Sequence, residues 1–358
     1  MEPQPTEISL EIKPTARFAV IDVKQRLANE FGDILARYRK ALYCSFHTTA
    51  GYLEETQSNE HVEPLLGAFR NIFPPEADYQ HDQLELRKEL SDQERQCEPK
   101  NADAHLIFIG AGMKNCVTYD NQPSQPVYFI DLDGVNGGET RSRHTTILGF
   151  NAEEAVQNIT MRVPISKHPV DSVNLKDARL GLCEQLNELI KHLDIAHGRI
   201  DIELPPDEQN AGLTVNEYET LLMKHDLAEV LRNPFKYMAL QGRHAFAQPK
   251  LIPGKTLDYA KYDLVHLFNE LMDKMGVSET VIERLLSVFI RLPASHFLSM
   301  KRHISLFVSS DSDPLNGKKN GDGRGKIVLG KYQSPILVQW DRAAGETRNL
   351  NITVSKFK

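Results

Sequence analysis

Leu42, Cys44 and Phe46 alternate with Tyr43, Ser45 and His47, the two-residue period of a strand. That strand runs into His47-Thr48-Thr49-Ala50-Gly51, so an imidazole and two hydroxyls stand where regular structure gives way to a loop, a usual place for chemistry on a rigid sheet. Residues 9–13 and 18–23 alternate in the same way. Val23, Leu27, Phe31, Leu35 and Tyr38 then follow a helical spacing, which predicts a helix over 23–38. A second helix is expected over 60–73, with Val62, Leu65, Leu66, Phe69 and Ile72 on one side and Pro74-Pro75 as its stop. The charged stretch 83–100 reads as a helix or lid. Asn101 is placed to cap a short helix that carries His105 and ends near Ile109. Residues 127–132 and 140–150 read as strands joined by a tight turn at 133–138.

The pattern then recurs. Residues 158–165 read as a strand, and Asp177 is placed to cap a helix with Leu182, Leu186, Leu189, Ile190 and Leu193 along one face. Residues 199–204 alternate, and Ala211-Gly212-Leu213-Thr214-Val215-Asn216-Glu217 follows as Ala50-Gly51 follows the first strand. Gly330-Lys331-Tyr332-Gln333 precedes a strand over 336–340, and Gly345-Glu346-Thr347-Arg348 repeats Gly138-Glu139-Thr140-Arg141. The order of elements predicts an internal duplication. The second copy is longer by 46 residues between the Ala-Gly turn and this tetrapeptide, a length that fits two amphipathic helices within 259–292 and a loop over 314–325. In this alignment His47, Thr48 and Thr49 fall on Glu208, Gln209 and Asn210. Arg143 falls on Leu350, His303 stands for His105, and His244 loosely for His81. The expectation is an α+β protein of two fused units, each a mostly antiparallel sheet packed with helices. The units span 1–155 and 156–358, with the helical insertion at about 245–292.

Composition narrows the function. The chain has 358 residues, 41% hydrophobic and 25% charged, as expected of an ordinary globular protein. The acidic N-terminus lacks an apolar core and no apolar run would span a bilayer, so a cytoplasmic protein with no membrane partner is expected. A net charge of −7 argues against non-specific nucleic-acid binding. Four cysteines without CxxC spacing point to reduced thiols. Gly110-Ala111-Gly112-Met113-Lys114 lacks the ending of a phosphate loop, and Asn136 stands where a calcium loop requires glycine.

The candidate chemistry rests on three histidines in polar surroundings: His47, His81 and His105. Three neutral imidazoles from separate elements are a zinc-type ligand set with one position open to water or substrate; imidazole also suits iron, nickel or copper. Asp82 and Asp103 are placed to orient the rings. Without a metal, a histidine titrating near neutrality is a general acid or base. Arg141 and Arg143, two apart on one strand, suit a phosphate or carboxylate; the alternative is that they pair with Asp131, Asp133 or Glu139. Thr48 and Thr49 either donate to an anionic oxygen or cap a turn. Glu55 is either a general base or the start of an acidic segment.

Taken in order, His47-Thr48-Thr49-Ala50-Gly51, Tyr79-Gln80-His81-Asp82, Asn101-Ala102-Asp103-Ala104-His105-Leu106, Asp133-Gly134 and Arg141-Ser142-Arg143 resemble the YjbQ family over roughly the first 150 residues. Glu55 stands where the family has an asparagine, and the family's Leu-Gly-Thr-Trp-Gln before Asp-Gly is missing. The second half supplies closer versions of both, in Ala211–Glu217 and Gly330–Gln333. The resemblance implies small α+β units that assemble as trimers, hence a homo-oligomer, with a histidine-lined pocket that holds a metal. It also implies thiamine-phosphate synthase-like chemistry, joining a pyrimidine pyrophosphate to a thiazole phosphate. The expectation is an enzyme, a transferase, acting on a small anionic substrate. His47, His81 and His105 would bind a divalent metal or move protons, with Glu55 as a further catalytic group. Thr48, Thr49, Arg141, Arg143 and Asp133 would hold the anion. The alternatives are a metal-dependent hydrolase or specialised-metabolite enzyme on the same pocket, or a non-catalytic ligand-binding or assembly protein.

Overall fold

The computed structural model describes residues 3–54, 62, 67, 70, 75, 80–86, 91–167, 171–217, 302–311, 323–339 and 341–358. Glu55, His244, the helices expected within 259–292 and most of the helix expected over 60–73 lie outside the described residues, as does most of the loop at 314–325.

In the first half the chain forms β1 (Thr6–Ile12), β2 (Ala19–Asp22), α1 (Val23–Phe31), β3 (Lys40–Ser45), β4 (Ala50–Gly51), α2 (Asp92–Cys97), α3 (Ala102–Gly110), β5 (Cys116–Asp120), β6 (Tyr128–Asp131), β7 (Val135–Asn136), β8 (Glu139–Thr140) and β9 (Arg143–Phe150). The second half forms β10 (Glu153–Pro164), β11 (Asp171–Asn174), α4 (Leu182–His192), β12 (His197–Glu203), β13 (Ala211–Asn216), β14 (His303–Ser309), β15 (Lys326–Val328), β16 (Ser334–Gln339) and β17 (Thr347–Phe357). Every strand pairing is antiparallel, and the helices pack beside the sheets, so the fold is α+β. No helix among the described residues is long and apolar enough to cross a membrane.

The two halves share one pairing scheme. The sheets β1-β9-β3-β5 and β2-β6-β4 in the first half match β10-β17-β12-β14 and β11-β16-β13 in the second, with β15 added at an edge. Register fixes the equivalences. Ala50 lies opposite Asp131 as Ala211 lies opposite Gln339. The larger sheets of the two halves meet through Leu42, Cys44, Phe46, Cys116, Leu148 and Phe150 on one side and Phe307, Val328 and Phe357 on the other. Phe150 and Phe357 stack with ring centroids 4.0 Å apart.

Local chemistry explains where several elements stop. The Asp22 carboxylate accepts from the Lys24 and Gln25 amides and starts α1. Gly32, at φ 69°, ends it at Phe31, so the apolar spacing that continues to Tyr38 belongs to a short 3₁₀ turn, Ile34–Arg37, and not to one long helix. Asn101 does not cap α3 with its side chain. Asp82 does the work instead, its Oδ1 accepting from the Ala102 amide at 3.0 Å. Nor does Asp177 cap α4: Gly181 stands at that position, while Asp177 accepts from the Arg179 amide and closes the preceding turn.

Candidate functional site

α3 carries His105 toward the 3₁₀ turn that holds His81, and the two rings lie 5.1 Å apart between centroids. Both are buried. The third group comes from the other half. Asn216 ends β13 and Glu217 follows it, and one ligand atom each from His81, His105 and Glu217 falls within 4.8 Å of the others. Each ring is held from outside. His105 Nδ1 donates to Asn216 Oδ1 at 2.9 Å, and His81 Nδ1 lies 3.1 Å from Asp82 Oδ1. The first contact fixes the His105 tautomer with its Nε2 lone pair facing Glu217. Nε2 and Glu217 Oε2 stand 3.5 Å apart, long for a hydrogen bond. It is close to the roughly 3.4 Å edge of a tetrahedron built on zinc-type bonds of about 2.0–2.1 Å.

Burial, and after it the charge of His81, pushes His105 down to about 3. Asp103, in the first turn of α3, pairs with Arg17 at 2.7 Å and does not orient a ring; burial lifts its carboxyl to about 6 in spite of Arg17. The Asn216 carboxamide accepts from both His105 and the Glu217 amide, while its buried Nδ2 has no partner among the described residues. Two buried imidazoles and a carboxylate, with an orphaned buried amide donor beside them, are a donor set that fits a divalent ion.

His47 is not brought to this cluster. It lines a separate cleft of about 320 Å³ with Phe46, Thr48, Thr49, Arg141, Ser142, Arg143 and Tyr332. Its Nε2 accepts from the His144 amide at 2.8 Å, so that lone pair is already used. Burial, then Arg143, His144 and Arg141, hold its pKa well below the usual value.

The two arginines part company. Arg143 is buried and bidentate to Asp131, at 2.8 and 2.9 Å, and it also reaches the Asp133 carbonyl and Thr49 Oγ1. It is a structural ion pair and not half of an anion clamp. Arg141 lies before the strand, pairs with Asp133 Oδ2 at 3.1 Å and keeps 29% of its side chain exposed at the cleft. Asp133 Oδ2 also accepts from Asn101 Nδ2 at 2.8 Å, which links the Arg141 cleft to the start of α3. Thr48 lies at the cleft; Thr49 is buried and its carbonyl accepts from the Leu132 amide.

The second half repeats this architecture with different side chains. Arg348 donates to Gln339, Glu208 and the Asp341 carbonyl, as Arg143 donates to Asp131 and the Asp133 carbonyl. Glu208 Oε1 accepts from the Asn349 amide, as His47 accepts from the His144 amide. Arg348 therefore occupies the position of Arg143 in this pairing scheme, and the repeated Gly-Glu-Thr-Arg does not fall on matching positions. The counterpart of Cys116 is His303, since these lie opposite Cys44 and Glu203 at matching register; His303 does not stand for His105.

Sequence reasoning missed Glu217 and Asn216 as site residues, although the match of Ala211–Glu217 to a family pattern was the available signal. It also missed Gln333, whose Nε2 donates to the Ser45 and His47 carbonyls at 3.0 and 3.1 Å and fastens the end of β3.

No family model matches the chain, and no curated protein matches it. Solved structures of related shape include a YbjQ-like protein of unknown function from Sulfolobus solfataricus P2, at 16% identity over 42% of this chain and 99% of that chain, with a TM-score of 0.29. An uncharacterized conserved protein of the YjbQ family from Clostridium acetobutylicum has 18% identity over 39% of this chain and 97% of that chain, with a TM-score of 0.27. A hypothetical protein from Aeropyrum pernix K1 has 14% identity over 56% of this chain and 98% of that chain, with a TM-score of 0.25.

Proposed function

We propose that this chain is an enzyme acting on a small anionic substrate at a metal-dependent centre formed by His81, His105 and Glu217. The observation that carries the reading is the convergence of two buried imidazoles from one half and a carboxylate from the other, within 4.8 Å. Two histidines and one glutamate are the protein ligands of hydrolytic zinc sites. A zinc-type ion held there by His81, His105 and Glu217 would supply Lewis acidity.

The chain's own residues do the rest. Asp82 and Asn216 hold the rings in ligating orientation. Burial keeps His105 unprotonated, so its lone pair stays available. Asn216 Nδ2 is a donor for a substrate oxygen. Arg141 supplies positive charge at the neighbouring cleft, suited to a phosphate or carboxylate. Hydrolysis of a small phosphorylated or carboxylated substrate is the reaction class we favour, and the synthase-like transfer implied by the family resemblance gives the first alternative substrates to assay.

We also read the chain as two YjbQ-like units joined by duplication. Support comes from the shared pairing scheme and from the matched Arg143–His47 and Arg348–Glu208 arrangements. In this reading the first unit keeps the histidines and the second keeps the Asn-Glu that completes their centre.

The test is turnover of a panel of phosphate esters, pyrophosphates and carboxylic esters by the full-length chain. Turnover is expected with added zinc or manganese, lost with chelator, and absent in His105→Ala. Chelator-insensitive turnover, or turnover retained by His105→Ala, contradicts the reading.

A further inference from the structure

A second cluster of the same kind lies where the two halves meet, and no part of the function above uses it. Glu7 projects from β1, His197 opens β12, and Asp311 follows β14. One ligand atom from each lies within 4.8 Å of the others. His197 Nε2 is 3.6 Å from Glu7 Oε2 and 3.5 Å from Asp311 Oδ2. Side-chain exposure is 5% for Glu7, 15% for His197 and 50% for Asp311.

The spacing is informative. A protonated imidazole between two carboxylates closes to about 2.7–2.9 Å on at least one of them. Here neither approach is a hydrogen bond, and the buried His197 Nε2 has no hydrogen-bond partner among the described residues. An unpaired buried ring nitrogen is costly to leave without a partner. Yet both separations sit near the roughly 3.4 Å ligand–ligand edge of a tetrahedral site with bonds of about 2.0–2.1 Å. The groups are too far apart to satisfy one another and correctly spaced to share a cation.

Their surroundings fix them. His197 lies directly opposite Ser309 on β14, and the Ser309 hydroxyl donates to Glu7 Oε2, so the neighbouring strand positions the carboxylate. Half-exposed Asp311 gives an ion a route in from solvent.

We propose that Glu7, His197 and Asp311 form a divalent-cation site of the zinc class that clamps the first strand of the chain to the second half. One imidazole and two carboxylates suit zinc, cobalt or manganese. Water completes the coordination. The ion ties β1 to β12 and to the segment after β14, beside the apolar contact between the larger sheets of the two halves.

The experiment uses the full-length chain, stripped with chelator, dialysed and titrated with zinc, with bound metal counted by atomic emission and melting followed in parallel. His197→Ala is expected to bind one zinc fewer than the wild type, and Glu7→Gln to bind the same ion at least tenfold more weakly. Zinc is expected to raise the melting temperature of the wild type more than that of His197→Ala, because an ion bound only to the folded chain stabilises it. His105→Ala is the independent control: it removes the ion assigned to the first centre, and the double variant with His197→Ala loses one further equivalent. Failure of one site is thereby read separately from failure of the other. Equal zinc content in the wild type and His197→Ala overturns the proposal. If His197→Ala does not fold, Asp311→Asn serves, since half its side chain is exposed; it is expected to weaken zinc at least tenfold, and unchanged affinity overturns the proposal.

Discussion

At the residue scale, His105 illustrates how burial sets chemistry. Its folded value of about 3 lies below the ordinary 6.5, so between those values the unfolded chain binds a proton that the folded chain does not. The stability tied to this group is complete above about pH 6.5 and is lost as the pH falls toward 3. Denaturant unfolding of the metal-free chain should therefore show a loss of about 2 kcal/mol from this residue between pH 7.5 and pH 5. His47, shifted the same way, adds to it, and His105→Gln should flatten the profile. The two arginines separate just as cleanly. Arg143→Ala leaves Asp131 buried without its partner and should cost about 3–5 kcal/mol. Arg141→Ala should cost less than Arg143→Ala, because Asn101 and Asn136 still donate to the buried Asp133 carboxylate, while raising KM for an anionic substrate. Thermal or denaturant melts of the two variants make the comparison. Spacing in the sequence showed that both arginines were close to an Asp-Gly turn. It could not show which faced the core, because that depends on where the strand begins, and β9 begins at Arg143. His47 was misgrouped for a similar reason: three histidines in polar settings are alike in sequence, and only the His144 amide reveals that one lone pair is taken.

At the element scale, apolar periodicity located most strands and α3 and α4, whereas caps and stops were decided by contacts from far along the chain. α3 starts on the Asp82 carboxylate and not on Asn101, an arrangement no local window contains. It also ties the turn bearing His81 to the helix bearing His105. The Gly330–Gln333 segment does similar work on β3. Gly330 donates its amide to Gln333 Oε1 at 2.9 Å, and a Cβ placed on Gly330 would come within 1.9 Å of the Phe46 carbonyl. Backbone cannot yield there as a flexible side chain would. Gly330→Ala should cost about 1–3 kcal/mol and should disturb the His47 cleft, read as a lowered melting temperature together with changed chemical shifts of the His47 ring. A neutral Gly330→Ala would mean that the second half does not grip the strand end as described.

At the scale of the whole molecule, the proposed centre draws on both halves. The first half supplies His81 and His105, and the second supplies Asn216 and Glu217 to one side and Gln333 to the strand beside the cleft. The sequence made the repeated order of elements legible, because alternation and turn residues are local properties. The alignment of individual residues across the halves was not legible, since Arg143 and Arg348 correspond through hydrogen bonds while the tetrapeptides around them do not. Zinc content decides the central claim most directly. Full-length wild type and Glu217→Ala, both purified without chelator and matched for circular dichroism, should differ by one equivalent of zinc, with the variant lower. Equal zinc in the two would show that the carboxylate from the second half does not complete the centre.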